Sequence, residues 1–384
     1  MDSNPLVGVL YHWLGGLASA SNFIPFRPIK RWSWEIYWII QGVAAWLIAP
    51  TLLASLLVPN LWGILRTTSH PTLWHMVIWG ALWGVGAITF GLSSRYLGIA
   101  LGYAIALGFC MAFGTLMPPI FRGELGTIAH QTGGKVILLG VVICMIAIVI
   151  NGLAGYSKEK EFSEEDKALT GERDFSFVKG LLVAIFAGIM SSCFAYGLAS
   201  GKAVAASTKA QLLAHGKPDL WQNLPVLVVV LWGGFITNLI WSAILIWRNH
   251  SVAQFFGKPG RNPMGTSPTT GVTLIDVDPR EFYVDSRIRP ATLIRNYLLA
   301  ALAGVIWYFQ FFFYSMGQTK MGKYDFSSWA LHMASIIIFA TLWGIVLKEW
   351  RDTSRRTKAL VSVGLFLLIA STIIVGAGNY MVAR

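Results

Sequence analysis

Ten apolar stretches, each about as long as a lipid-spanning helix, recur along this 384-residue chain, and the connectors between them hold nearly every charge. A helix needs about 20 mostly apolar residues to cross roughly 30 Å of hydrocarbon. The stretches fall near 6–24, 36–57, 73–92, 97–116, 136–153, 178–200, 224–247, 293–315, 327–347 and 359–378. Only 12% of the residues are charged, against about 25% in a soluble domain, so no polar skin is available to dissolve the chain. The spacing predicts an all-α membrane protein with ten transmembrane helices in a lipid bilayer.

The net charge of +12 raises the question of nucleic acid, and its placement argues for no nucleic-acid partner. If connectors alternate sides, one side holds 21 of the 30 Lys and Arg residues and the other holds 9. The positive-inside rule then makes the richer side cytoplasmic and leaves both termini outside. Cys110, Cys144 and Cys193 all lie inside apolar stretches at no metal-like spacing, where a thiol behaves as a small hydrophobe. No basic region precedes the first stretch, so a removed signal peptide is not expected.

A mixed-charge connector, 156–177, divides the stretches into five and five. An odd number of spans per half obliges the second half to insert upside down. The expected organisation is two inverted five-helix repeats, over 1–155 and 178–384, a construction common among secondary transporters. With an offset of 172, Gly8, Gly16 and Ser19 fall on Gly180, Gly188 and Ser191; with an offset of 224, Trp83 and Gly98 fall on Trp307 and Gly322. The segment 248–292, rich in Pro and Gly and then charged, is too polar to span and is expected as a long cytoplasmic loop.

No metal-type HExxH, Walker loop or GxSxG elbow is present. Glycines four apart, such as Gly80 and Gly84, allow close packing of helices in lipid. That use of small residues leaves the oligomeric state open. Ionisable groups are more telling, because a charge in hydrocarbon is costly unless it faces a cavity or a partner. Glu35, Asp325 and Glu349 approach the stretches only at their ends, and Asp325 and Glu35 fit helix caps.

Histidine remains. His12 and His332 each lie about six residues into a stretch that starts on the outer side, hence roughly 9 Å deep, which lets them share one site. His12, Gly16, Ser19 and Asn22 fall on one helix face, as do Ser328, His332 and Ser335. An imidazole ordinarily titrates near pH 6.5, so His12 and His332, with Asp325 behind them, are the candidates for proton coupling. A neutral histidine bonded to a backbone carbonyl fits the same positions. In the eighth stretch Trp307, Gln310 and Tyr314 share a side at i, i+3, i+7. Aromatic rings there, with Trp83 at the repeat-related position, offer platforms for the apolar face of a sugar, and Gln310, His332 and Asn22 offer partners for hydroxyls. Mostly apolar walls with a few placed polar groups suit a small neutral ligand, and no cofactor beyond a proton is called for.

These residues carry a resemblance. Tyr11-His12-Trp13, Lys30-Arg31-Trp32-Ser33-Trp34-Glu35, Arg95-Tyr96-Leu97-Gly98, Gly114-Thr115-Leu116-Met117, Trp307-Tyr308 with Gln310 to Tyr314, Leu331-His332-Met333 and Leu347-Lys348-Glu349-Trp350 make the chain similar to the L-rhamnose–proton symporter family of the drug/metabolite transporter superfamily. The likeness runs nearly end to end, is weak over 200–225, and finds 251–290 longer than the family needs. It implies uptake of L-rhamnose or another deoxy sugar with a proton, across a bacterial-type inner membrane, by alternating access. Two alternatives stay open: an exporter of drugs or metabolites on the same architecture, and a membrane-embedded transferase.

Overall fold

The apolar stretches fold as helices. The structure, a computed structural model, describes residues 4–97, 99–161, 177–258 and 288–383, and every regular element among them is helical. Most of the charged connector, most of the long loop and Gly98 lie outside the described residues. The long helices are α1 (Pro5–Ser21), α2 (Trp34–Leu57), α3 (His70–Leu97), α4 (Ile99–Phe121), α5 (Thr132–Glu161), α6 (Phe177–Ser200), α7 (Leu224–Arg248), α8 (Pro290–Lys320), α9 (Ser327–Val346) and α10 (Arg355–Ala383). Nine of these, α2 to α10, contain segments long and apolar enough to cross a membrane. Over the tenth expected span, 6–24, the structure has the 17-residue helix α1, which is not among those nine and stops ahead of Pro25 in a tight turn over Ile24–Phe26. Short helices at Leu61–Thr67, Leu125–His130 and Lys202–Ala214 lie in connectors; the last occupies a region where no span was expected.

The faces of α1 explain how the bundle closes. Asn4 caps it by accepting the Val7 N–H at 3.3 Å, with Pro5 at the first helical position. Leu6, Leu10, Leu14 and Leu17 form an exposed stripe, while Gly8, His12, Gly15, Gly16 and Ser19 are buried. Large apolar side chains thus face outward, and small or polar ones meet protein, the pattern that lets helices pack closely in lipid.

Helix partners are exchanged between the two halves. α1 packs on α8 and α9, and α6 packs on α3 and α4; α2 meets α7 and α8, and α7 meets α2 and α3; α5 lies along α10. The glycines that match at an offset of 172 sit at corresponding crossings. A Cβ on Gly8 would lie 3.2 Å from the Gly317 carbonyl near the end of α8, and one on Gly180 would lie 2.9 Å from Tyr96 near the end of α3. Gly16 abuts Ser335 of α9, and a Cβ on Gly188 would lie 2.7 Å from the Ala106 carbonyl of α4.

The connector after α1 is tied to the base of α7 and the start of α8. The Trp32 indole donates to the Gln254 carbonyl at 3.0 Å, the Ser33 N–H donates to Gln254 Oε1 at 2.6 Å, and Asn296 Nδ2 donates to the Lys30 carbonyl at 2.8 Å. Glu35 is buried and accepts from Asn249 Nδ2 at 3.1 Å, and Ser33 makes no side-chain cap.

Candidate functional site

Small residues on α1 let α8 and α9 approach closely enough to bring both histidines inward. A Cβ on Gly15 would come within 2.8 Å of the Gln310 carbonyl and 3.5 Å of the His332 ring, so that position tolerates nothing larger. The His12 and His332 rings are fully buried, with centroids 6.4 Å apart. Tyr314 of α8 touches both, 5.4 Å from His12 and 5.1 Å from His332. Among the described residues, neither ring nitrogen of either histidine has a hydrogen-bond partner, and Gln310 Nε2 is likewise unpartnered. A buried polar atom without a partner costs stability, so three such side chains from three helices mark a place where the bundle's polar groups are kept for something else.

Below this polar group lies an aromatic floor. Trp83 of α3 and Trp307 of α8 lie 5.9 Å apart at 31°, and Trp46 of α2 stands nearly perpendicular to both, 6.0 and 5.4 Å away. Phe311 joins floor to histidines: it lies 5.1 Å from Trp307 and 5.9 Å from His332, and stacks on Phe194 of α6 at 4.1 Å. Trp329, one turn before His332, is pinned by its indole N–H to the Cys110 carbonyl of α4 at 3.1 Å. Seven helices thus contribute around one centre.

Six of the eight expected residues meet here: His12, Trp83, Trp307, Gln310, Tyr314 and His332. Asn22 does not. It is buried at the end of α1, donates to the Ser19 carbonyl, and stands ten residues from His12, which is about 15 Å along a helix. Asp325 lies in the turn before α9, caps nothing with its side chain, and forms an ion pair with Lys202 at 3.3 Å. Trp46, Phe194, Phe311 and Trp329 were missed as site residues. Trp329 had a signal, three residues before His332 on the same face; Trp46 had none that separated it from 16 other tryptophans.

An apolar groove of about 460 Å³ lies elsewhere, on the flank of α2, lined by Leu47, Ile48, Thr51, Leu52, Ser55 and Trp232. Ile48 and Leu52 are exposed there, which makes it part of the lipid-facing surface.

The whole chain has close relatives in kind. A family model described as L-rhamnose-proton symport protein matches residues 1–257 and 272–381. Curated proteins named L-rhamnose-proton symporter, from Salmonella paratyphi B and Salmonella newport, are each 33% identical over 381 residues, covering 98% of this chain and 99% of the relative. The stretch that the family model passes over, 258–271, falls inside the segment that looked longer than the family needs. On the extent of both matches, the chain belongs to the L-rhamnose-proton symport protein family.

Proposed function

We propose that this protein imports L-rhamnose, or a closely related deoxy sugar, together with a proton, by alternating access. Membership of the family and the names of its Salmonella relatives support the substrate and the coupling ion. The single observation that carries the reading is the convergence of His12, Gln310 and His332, from three helices, on one buried centre with unpartnered nitrogens. A sugar presents hydroxyls to such groups and an apolar face to indole rings, so Trp83 and Trp307 form the stacking walls and Gln310, Tyr314 and His332 supply the polar edge. His12 and His332 carry the coupling proton, with Asp325 next in line.

The architecture behind this is ten membrane-spanning helices in two inverted repeats, 1–155 and 178–384, joined by the charged linker 156–177, with both termini outside the cell. The exchanged helix partners and the corresponding glycine crossings support the repeat, and the 21-to-9 division of basic residues supports the orientation. His12 and His332 are fully buried. A solute reaches a sealed site only if helices part on one side and then the other. Proton binding favours the sugar-loaded form because a ligand shifts a conformational equilibrium only through differential affinity.

The test is external pH in an unbuffered suspension of energy-depleted cells expressing the protein. Adding L-rhamnose should make the medium more alkaline while its epimers leave it unchanged. No change with any deoxy sugar would count against symport.

A further inference from the structure

Trp46 is the interior group least foreshadowed by local spacing. Residues Val43–Ile48 of α2 wind as a π-helix, with the Ala49 N–H reaching back to the Ala44 carbonyl. Pro50 supplies the cause: it has no N–H to offer, and its ring crowds the carbonyl four residues earlier, that of Trp46 itself. The wider turn carries an extra residue and buries Ala44, Ala45 and Trp46 in succession. Trp46 is only 4% exposed and closes the third side of the corner whose other walls are Trp83 and Trp307.

Its indole Nε1 has no hydrogen-bond partner among the described residues. Three other interior tryptophans are satisfied: Trp38, in contact with Trp46, donates to Asn238 Oδ1 at 2.7 Å, Trp232 to Thr51 Oγ1 at 3.2 Å and Trp329 to the Cys110 carbonyl; Trp13 and Trp350 share the unpartnered state but lie outside the aromatic corner. An indole N–H donates only and does not change charge in the physiological range. It therefore suits the oxygen of a hydroxyl and has no part in carrying a proton.

We propose that Trp46 is a further substrate-binding residue, whose indole N–H donates to a hydroxyl of a sugar that enters the corner of Trp46, Trp83 and Trp307 when the helices part. This rests on the transport reading and extends it: the site reads the sugar through a pH-independent donor on α2 as well as through the histidines. The π-turn that presents Trp46 then makes α2 part of the recognition surface.

The experiment is calorimetric titration of L-rhamnose into the intact purified carrier and its Trp46→Phe variant, with melting temperature and pH profile recorded for both. Phenylalanine keeps an aromatic face and removes the donor along with the indole's second ring. Binding should weaken roughly three- to tenfold, the yield of one hydrogen bond, with the pH profile unchanged in shape; the smaller ring leaves a gap, so the unliganded melting temperature falls here as in Trp38→Phe, and affinity alone separates the two variants. Trp38→Phe is the structural control, because it breaks an existing hydrogen bond; it should lower the melting temperature and leave affinity alone. Should Trp46→Phe fail to fold, Trp46→Tyr against wild type gives the same comparison with a displaced donor, and affinity equal to wild type would overturn the proposal. Equal affinity in Trp46→Phe overturns it likewise, while the transport reading survives. A wild-type carrier that ignores L-rhamnose overturns both.

Discussion

The rings of His12 and His332 stand 6.4 Å apart inside the bundle, although 320 residues separate them, and the ring of Tyr314 rests against both. α1 brings one histidine and α9 the other, and Gly15 and Gly16 are what allow the helices so near.

Replacing either histidine by glutamine should separate binding from accumulation. Exchange of labelled sugar across proteoliposomes should persist, while concentration driven by an imposed pH gradient disappears. Normal accumulation in both variants would move the coupling group elsewhere, first to Asp325.

Removing the Trp307 ring tests the floor of the site. The indole offers a large apolar face whose burial against the sugar is worth about 25 cal/mol per Å², so Trp307→Ala should weaken sugar binding by about tenfold in calorimetry. Unchanged affinity would assign the ring to packing.

Gly15→Ala should push α1 from α8, because the new methyl would meet the Gln310 carbonyl at 2.8 Å. Gly188→Ala makes the same insult where α6 crosses α4, with the Ala106 carbonyl at 2.7 Å. Overpacking costs about 1–3 kcal/mol, so both should lower thermal stability. Only Gly15→Ala should also impair sugar binding, since only that crossing borders the histidines.

Stability should carry a pH signature where α5 meets α10. Glu161 accepts from the Ser354 hydroxyl at 2.7 Å, the Thr357 hydroxyl at 2.6 Å and the Ser354 N–H at 2.7 Å, and these bonds hold its carboxyl below the ordinary 4.5. A depressed acid stabilises the fold above its unfolded value and loses that contribution as pH falls through the folded value. Melting temperatures of wild type and Glu161→Gln should therefore differ at pH 6 and converge below about pH 4.5. A constant difference across that range would show that the carboxylate charge plays no part.

The chain announced its helices through length and hydropathy, because lipid demands a continuous apolar run wherever backbone must satisfy itself. It announced His12, Gln310 and His332 through chemical cost, since polar groups in such runs need a reason. Proximity was less legible. Asn22 shares a face with His12 and still lies near the far end of α1, because a face fixes direction and not depth. Trp46 was invisible because its placement depends on Pro50 widening a turn of α2, a backbone effect that periodicity assumes away. Asp325 looked like a cap and is an ion-pair partner of Lys202 in another connector, a contact no local spacing encodes.

The most direct test loads a trapped pH dye into liposomes bearing the purified carrier, with equal pH inside and out, and adds L-rhamnose outside. The account predicts that the lumen acidifies as sugar enters, and that a variant carrying both His12→Gln and His332→Gln admits sugar without acidification. Sugar entry through the wild-type carrier with no change in luminal pH would contradict it.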